Sequence, residues 1–126
     1  MKSCFNIIAK LFLMMLVLSA CEYKFISPDN GDPIDPELPI SFSAEVEPIW
    51  TTQSCTGCHD GSGLFSLKAG EAYNSLTTNN LLDLDQADNS KILTVPGSSG
   101  LHADKDYVGN QRELIKVWIE QGAEDN

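Results

Sequence analysis

Basic residues are scarce in this sequence: 8 Lys and Arg stand against 18 Asp and Glu, a formal charge of −10. Phosphate is repelled by such a surface, which argues against nucleic acid and anionic lipid headgroups as partners. A basic protein partner, or plain solubility, fits the charge better. Lys2 and Lys10 lie in the first twenty residues, which hold no acid, so the remainder carries only 6 basic residues against the same 18 acidic ones. Methionine is absent after Met15, so no thioether is at hand beyond that point. Histidine occurs only as His59 and His102. The apolar run Leu11 to Leu18 is too short to span a bilayer. With 126 residues the chain has room for one domain and some length for a leader and a tether.

Cysteine is sparse too, at positions 4, 21, 55 and 58, and the last two belong to Cys55-Thr56-Gly57-Cys58-His59. C-x-x-C-H is the attachment signature of c-type haem. Two cysteines three positions apart on a tight turn can form thioethers to the two vinyl edges of one porphyrin. The next residue then offers a neutral imidazole to the iron from the same turn. Gly57 lets that turn close without a side chain pressing on the macrocycle. Two other readings compete. A thioredoxin-like dithiol expects a βαβ context, which is not visible. A structural zinc needs four ligands, and outside the N-terminal segment and Cys21 only Cys55, Cys58, His59 and the distant His102 are on offer.

The N-terminus has a basic start, an apolar run and the small residues Ser19 and Ala20, the form of a secretory signal peptide over 1–20. Leu18-Ser19-Ala20-Cys21 resembles the lipobox of bacterial lipoproteins. That resemblance implies that Cys21 becomes the lipidated N-terminus of an exported, membrane-anchored protein, at the periplasmic face or the cell surface. Several acyl chains on one residue anchor stably. Ordinary signal cleavage with Cys21 left free is the alternative. Under the lipobox reading Cys4 leaves with the leader, Cys21 takes lipid, and Cys55 and Cys58 take haem, so no disulfide is left to draw. Residues 21–40 interleave Pro28, Pro33, Pro36 and Pro39 with Asp29, Asp32, Asp35 and Glu37, which predicts a semi-extended tether. Its reach is up to about 60 Å in polyproline form.

From Ser41 the pattern turns helical. Phe42, Val46, Ile49 and Trp50 form one apolar stripe leading into the CxxCH turn, with Ser41 or Ser43 as cap. Pro48 requires this helix to start late or to kink. After the bend Asp60-Gly61-Ser62-Gly63, the cluster Leu64, Phe65 and Leu67 is positioned to cover an edge or face of a porphyrin, or to be ordinary core. Ala69, Ala72, Tyr73 and Leu76 predict a short helix ended by Thr77 to Asn80, and residues 81–86 alternate imperfectly, without a clear sheet signal. Ser90 to Leu93 predicts one helical turn, closed by Pro96-Gly97. The last element carries Leu114, Ile115, Trp118 and Ile119 on one face. Asn110 with Glu113 predicts a capping box, and Gly122 stands where a C-cap glycine belongs.

Taken together, Pro48-Ile49-Trp50, Cys55 to His59, Leu64 to Leu67, Ala72-Tyr73 and Trp118 to Ala123 make residues 41–126 resemble the small class I cytochrome c domains of exported bacterial proteins. The resemblance implies an all-α fold, with N- and C-terminal helices crossing over a covalently attached haem c. His59 would be the proximal iron ligand. Where such proteins place a distal methionine this chain has none, so the candidates are His102, Lys91, Lys105, a weak oxygen donor or an open site. His102 lies in the loop after Pro96-Gly97-Ser98-Ser99-Gly100, the region where the family usually places that methionine. An exposed loop histidine beside Asp104 and Asp106 is the plainer alternative. His/His ligation implies a lower potential than His/Met.

The reading expects a tethered one-electron carrier between exported redox partners rather than an enzyme, since the acids show no paired arrangement at helical spacing. Two other functions stay open: a five-coordinate haem protein binding O₂, CO or NO, and a docking lipoprotein in a surface complex.

Overall fold

The computed structural model describes residues 33–126. The expected leader, Cys21 and the first part of the tether lie outside the described residues. Four α-helices organise the rest: α1 (Glu47–Thr52), α2 (Ala72–Thr78), α3 (Lys91–Thr94) and α4 (Gln111–Glu120). Among the described residues there is no strand, only an isolated bridge between Asp60 and Ser66, so the all-α expectation holds at the level of class.

The entry into α1 shows how a proline reshapes a helix. Ser41 caps it, its Oγ accepting from the Ala44 amide at 3.3 Å while its own amide donates to Glu45 Oε2 at 2.7 Å. Pro48 has no N–H, and its ring would clash with the carbonyl four residues back. The chain responds with a wide π turn over Phe42–Val46, in which the Glu47 amide reaches back to the Phe42 carbonyl. The following α-helix then starts late enough to place Pro48 in its first turn, where a missing donor costs nothing. Phe42, Val46, Ile49 and Trp50 are all buried, as their spacing predicts.

At the other end Gly122 adopts φ +103°. The Ala123 amide donates to the Trp118 carbonyl at 3.0 Å and the Gly122 amide to Ile119 at 3.0 Å, a Schellman closure of α4. The start of α4 departs from expectation. Asn110 makes no side-chain cap bond, because its backbone (φ −94°, ψ 8°) is not in the extended region from which a cap side chain reaches the first turn. The buried Gln111 serves this junction instead, its Oε1 accepting from the Val108 amide at 3.1 Å and from Gln53 Nε2 at 3.0 Å.

These two ends pack on each other through aromatic rings. Phe42 lies 5.0 Å from Trp118, 5.5 Å from Tyr73 on α2 and 6.0 Å from Trp50, centre to centre. Glu47 ties α1 to the approach to α2, its Oε1 accepting from the Gly70 amide at 2.7 Å. Residues 81–86 form no strand: Leu81 offers its carbonyl to Ile92, and the Asp83 carboxylate takes the amides of Asp85 and Gln86.

Part of the proline-rich stretch belongs to the packed unit. Ile40 is buried and Ile34 packs against the core. Gln121 of α4 accepts from the Ile40 amide at 3.0 Å and donates to the carbonyls of Leu38 (2.8 Å) and Pro36 (3.0 Å). The unit therefore begins before Ser41, since carbonyls that pair with no strand are free to accept from a side-chain amide.

Candidate functional site

The CxxCH stretch follows α1 directly. Ser54 takes a left-handed backbone, φ 60°, which costs a non-glycine residue about 1–2 kcal/mol. That reversal starts a 3₁₀ turn over Cys55–Gly57, in which the Cys58 and His59 amides both donate to the Cys55 carbonyl, at 3.2 and 3.0 Å. Cys55 and Cys58 carry free thiols; Cys55 is half-buried and Cys58 exposed. Burial pushes the Cys55 thiol up, against a smaller opposing pull from nearby Lys105. Gly57 does not need glycine for its own backbone, which lies outside the left-handed region. A Cβ placed there would meet no protein atom within 4 Å. This face of the turn is open, with no protein side chain lying over it.

His59 is held on two sides. Its carbonyl accepts from the Leu67 amide at 2.8 Å, and the Phe65 ring stacks on the imidazole with centres 4.2 Å apart and planes at 23°. Burial first, and the neighbouring His102 second, lower its pKa, which favours the neutral imidazole that binds metals. His102 sits in the 3₁₀ turn Gly100–His102, and its ring lies 6.0 Å from that of His59 with planes only 17° apart.

The other distal candidates are arranged differently. Lys105 pairs with Asp104 at 3.3 Å, and Lys91 is an exposed residue opening α3. Histidine 102 is the one whose side chain meets His59. Two apolar residues beside this pair face solvent: Leu64 is 89% exposed and Leu101 91%. The cluster Leu64, Phe65 and Leu67 is thereby split three ways, with Leu67 in the core, Phe65 against His59 and Leu64 outside.

Among the described residues no group of three or more His, Cys, Asp or Glu side chains could hold a bare metal ion. A haem asks the protein for only two axial donors, because its porphyrin supplies the other four.

Tyr107 is a site neighbour that sequence reasoning missed. Its hydroxyl accepts from Trp50 Nε1 at 3.1 Å and donates to the Ile92 carbonyl at 2.9 Å, joining the end of the His102 loop to α1 and α3. Burial drives its pKa well above the usual tyrosine value. Trp50 offered a signal, since a buried indole N–H needs an acceptor, but nothing in the sequence says which residue supplies it. Comparison with protein-family models, curated proteins and solved structures found no match for this chain.

Proposed function

We propose that this chain is an exported, lipid-tethered monohaem c-type cytochrome that carries single electrons between protein partners. The observation that carries the reading is the CxxCH turn itself, two free cysteines followed by His59, with the His102 ring 6.0 Å from that of His59. Cys55 and Cys58 would hold the porphyrin covalently, and His59 and His102 would be its axial ligands. When bound, the haem supplies a one-electron couple whose potential follows ligands, burial and hydrogen bonding.

The polypeptide's part is to hold those residues still. Phe65 fixes the plane of the His59 ring and Leu67 fixes its backbone. Tyr107 and Trp50 anchor the distal loop to the core. Two imidazoles change little in bonding when the iron changes charge, which suits electron transfer more than substrate turnover. The formal charge of −10 favours basic redox proteins as partners. Cys21 would supply the lipid anchor.

A pyridine haemochrome assay on protein matured with a haem-attachment system checks the covalent haem. His102→Ala should then convert a low-spin spectrum to high-spin and open the reduced protein to CO. A low-spin spectrum that survives His102→Ala unchanged rules out the His/His assignment. Rapid CO binding by the unsubstituted protein would favour a gas-binding role instead.

A further inference from the structure

We infer that Arg112 is a positioning residue for His102, its one guanidinium fastening both ends of the loop that carries the histidine. The inference rests on the reading of His102 as an axial ligand. Arg112 is the only arginine in the chain and stands in the first turn of α4. At the start of the loop its Nη1 donates to the Leu93 carbonyl, and its Nη2 lies 3.4 Å from that of Pro96. At the end of the loop Nη2 meets the Asp106 carboxylate, and the guanidinium carbon lies 5.4 Å from the centre of the Tyr107 ring. His102 lies between these fastenings.

The segment inside the staple is bonded mainly to itself, the amides of Ser98, His102 and Ala103 donating to the carbonyls of Val95, Ser99 and Gly100. The His102 carbonyl accepts from the Gly97 amide at 2.9 Å and from Lys105 at 3.1 Å. Leu101 faces solvent and His102 is only half-buried. Bonds of that kind shape the loop internally but do not place it on the core, which falls to the fastenings at its ends. A planar fork of five donors can serve several acceptors at once, which a lysine ammonium on a flexible stem does less well. The Arg112–Asp106 pair is half-exposed and contributes little alone, so the bonds to the two carbonyls carry most of the effect.

The test uses the haem-loaded full chain with Arg112→Ala, Arg112→Lys and, as control, Lys116→Ala. Lys116 lies one turn further along α4 and pairs with Asp88 at 3.0 Å and Glu120 at 3.9 Å, so its removal takes the same charge from the same helix without touching the loop. Two quantities are read: the rate at which CO displaces the distal ligand in the reduced protein, and hydrogen exchange at the Gly97 and Lys105 amides. Loss of the charge-assisted bonds should raise both by about tenfold in Arg112→Ala, with Arg112→Lys between it and wild type and Lys116→Ala at wild type. Unchanged rates in Arg112→Ala, or equal acceleration by Lys116→Ala, overturn the inference. Should Arg112→Ala not fold, Arg112→Lys decides by the same criterion. If His102→Ala leaves the spectrum unaltered, the ligand assignment fails instead, and amide exchange still reports whether Arg112 staples the loop.

Discussion

The two faces of this molecule differ in how they finish the burial of their apolar side chains. Where α4 meets the entry to α1, Phe42, Trp50 and Trp118 close on one another and on Tyr73, and each indole N–H finds an acceptor: Tyr107 for Trp50, the Glu124 carbonyl for Trp118. Around His59 and His102, by contrast, Leu64 and Leu101 lie exposed, and the two imidazoles stand 6.0 Å apart. One face is complete with protein atoms alone. The other leaves apolar surface exposed beside two imidazoles, surface that the proposed haem would cover. Stability and the proposed redox chemistry should therefore be separable by substitution.

The largest effect is expected on the aromatic side. Trp118 is essentially fully buried, packs on Phe42, and donates at 3.0 Å to Glu124. Trp118→Ala removes that volume and that bond together and should cost about 3–5 kcal/mol in urea unfolding. The folded fraction should keep the spectrum of the wild type. A loss below about 1 kcal/mol, or a changed spectrum in the folded fraction, would break the division between the two faces.

A smaller effect is expected on the loop side, at Gly97. Its φ of +77° disfavours any side chain, and a Cβ there would stand 2.7 Å from Asp106 Cγ. Asp106 has little room to retreat, since it is engaged by Arg112 and by the Tyr107 amide. Gly97→Ala should cost about 1–3 kcal/mol and, unlike Trp118→Ala, should disturb His102. In the double variant Gly97→Ala, Asp106→Ala the two closest contacts, to Cγ and Oδ2, disappear while the 3.1 Å approach to the residue 106 Cβ and the backbone strain stay, so a double-mutant cycle isolates the carboxylate contact. Full additivity of the two single changes would show that the contact contributes nothing.

The same division governs how much could be read from the chain in advance. The apolar stripe of α1, the closure of α4 at Gly122 and the short helices at Ala72 and Lys91 were legible because each depends on residues within a turn or two. The expectation that His102 meets His59 rested on chemistry, since a chain without methionine beyond Met15 has few strong distal donors. Pro48 announced an irregularity but not its form, because a kink, a late start and a π turn all answer the missing N–H. The Asn110 box failed because the motif specifies residue types and not the backbone angle its cap requires. Trp50 with Tyr107 and Ile40 with Gln121 were out of reach: the partners stand 57 and 81 positions apart, and no local pattern encodes such pairs. Long-range side-chain bonds also decided where the domain begins.

Gln121 supplies the finest test of the comparison. Its amide holds the backbone of Pro36, Leu38 and Ile40 with three bonds at 2.8–3.0 Å, on the side of α4 already closed by Trp118. Gln121→Ala should therefore cost only about 1 kcal/mol of global stability, because Ile40 remains buried and these bonds are exchanged in part for bonds to water. Its local effect should be larger. Residues 34–40 should become cleavable by a protease at concentrations that leave the remainder intact, since cleavage follows the population of the open form. The spectrum of haem-loaded protein should not move, as the Gln121 bonds run to this strap of residues 36–40 and not to His59 or the His102 loop. Protection of 34–40 that survives Gln121→Ala would mean that burial of Ile34 and Ile40 suffices to hold the strap. A spectral change would show instead that the two faces are coupled through α4, whose first turn holds Arg112.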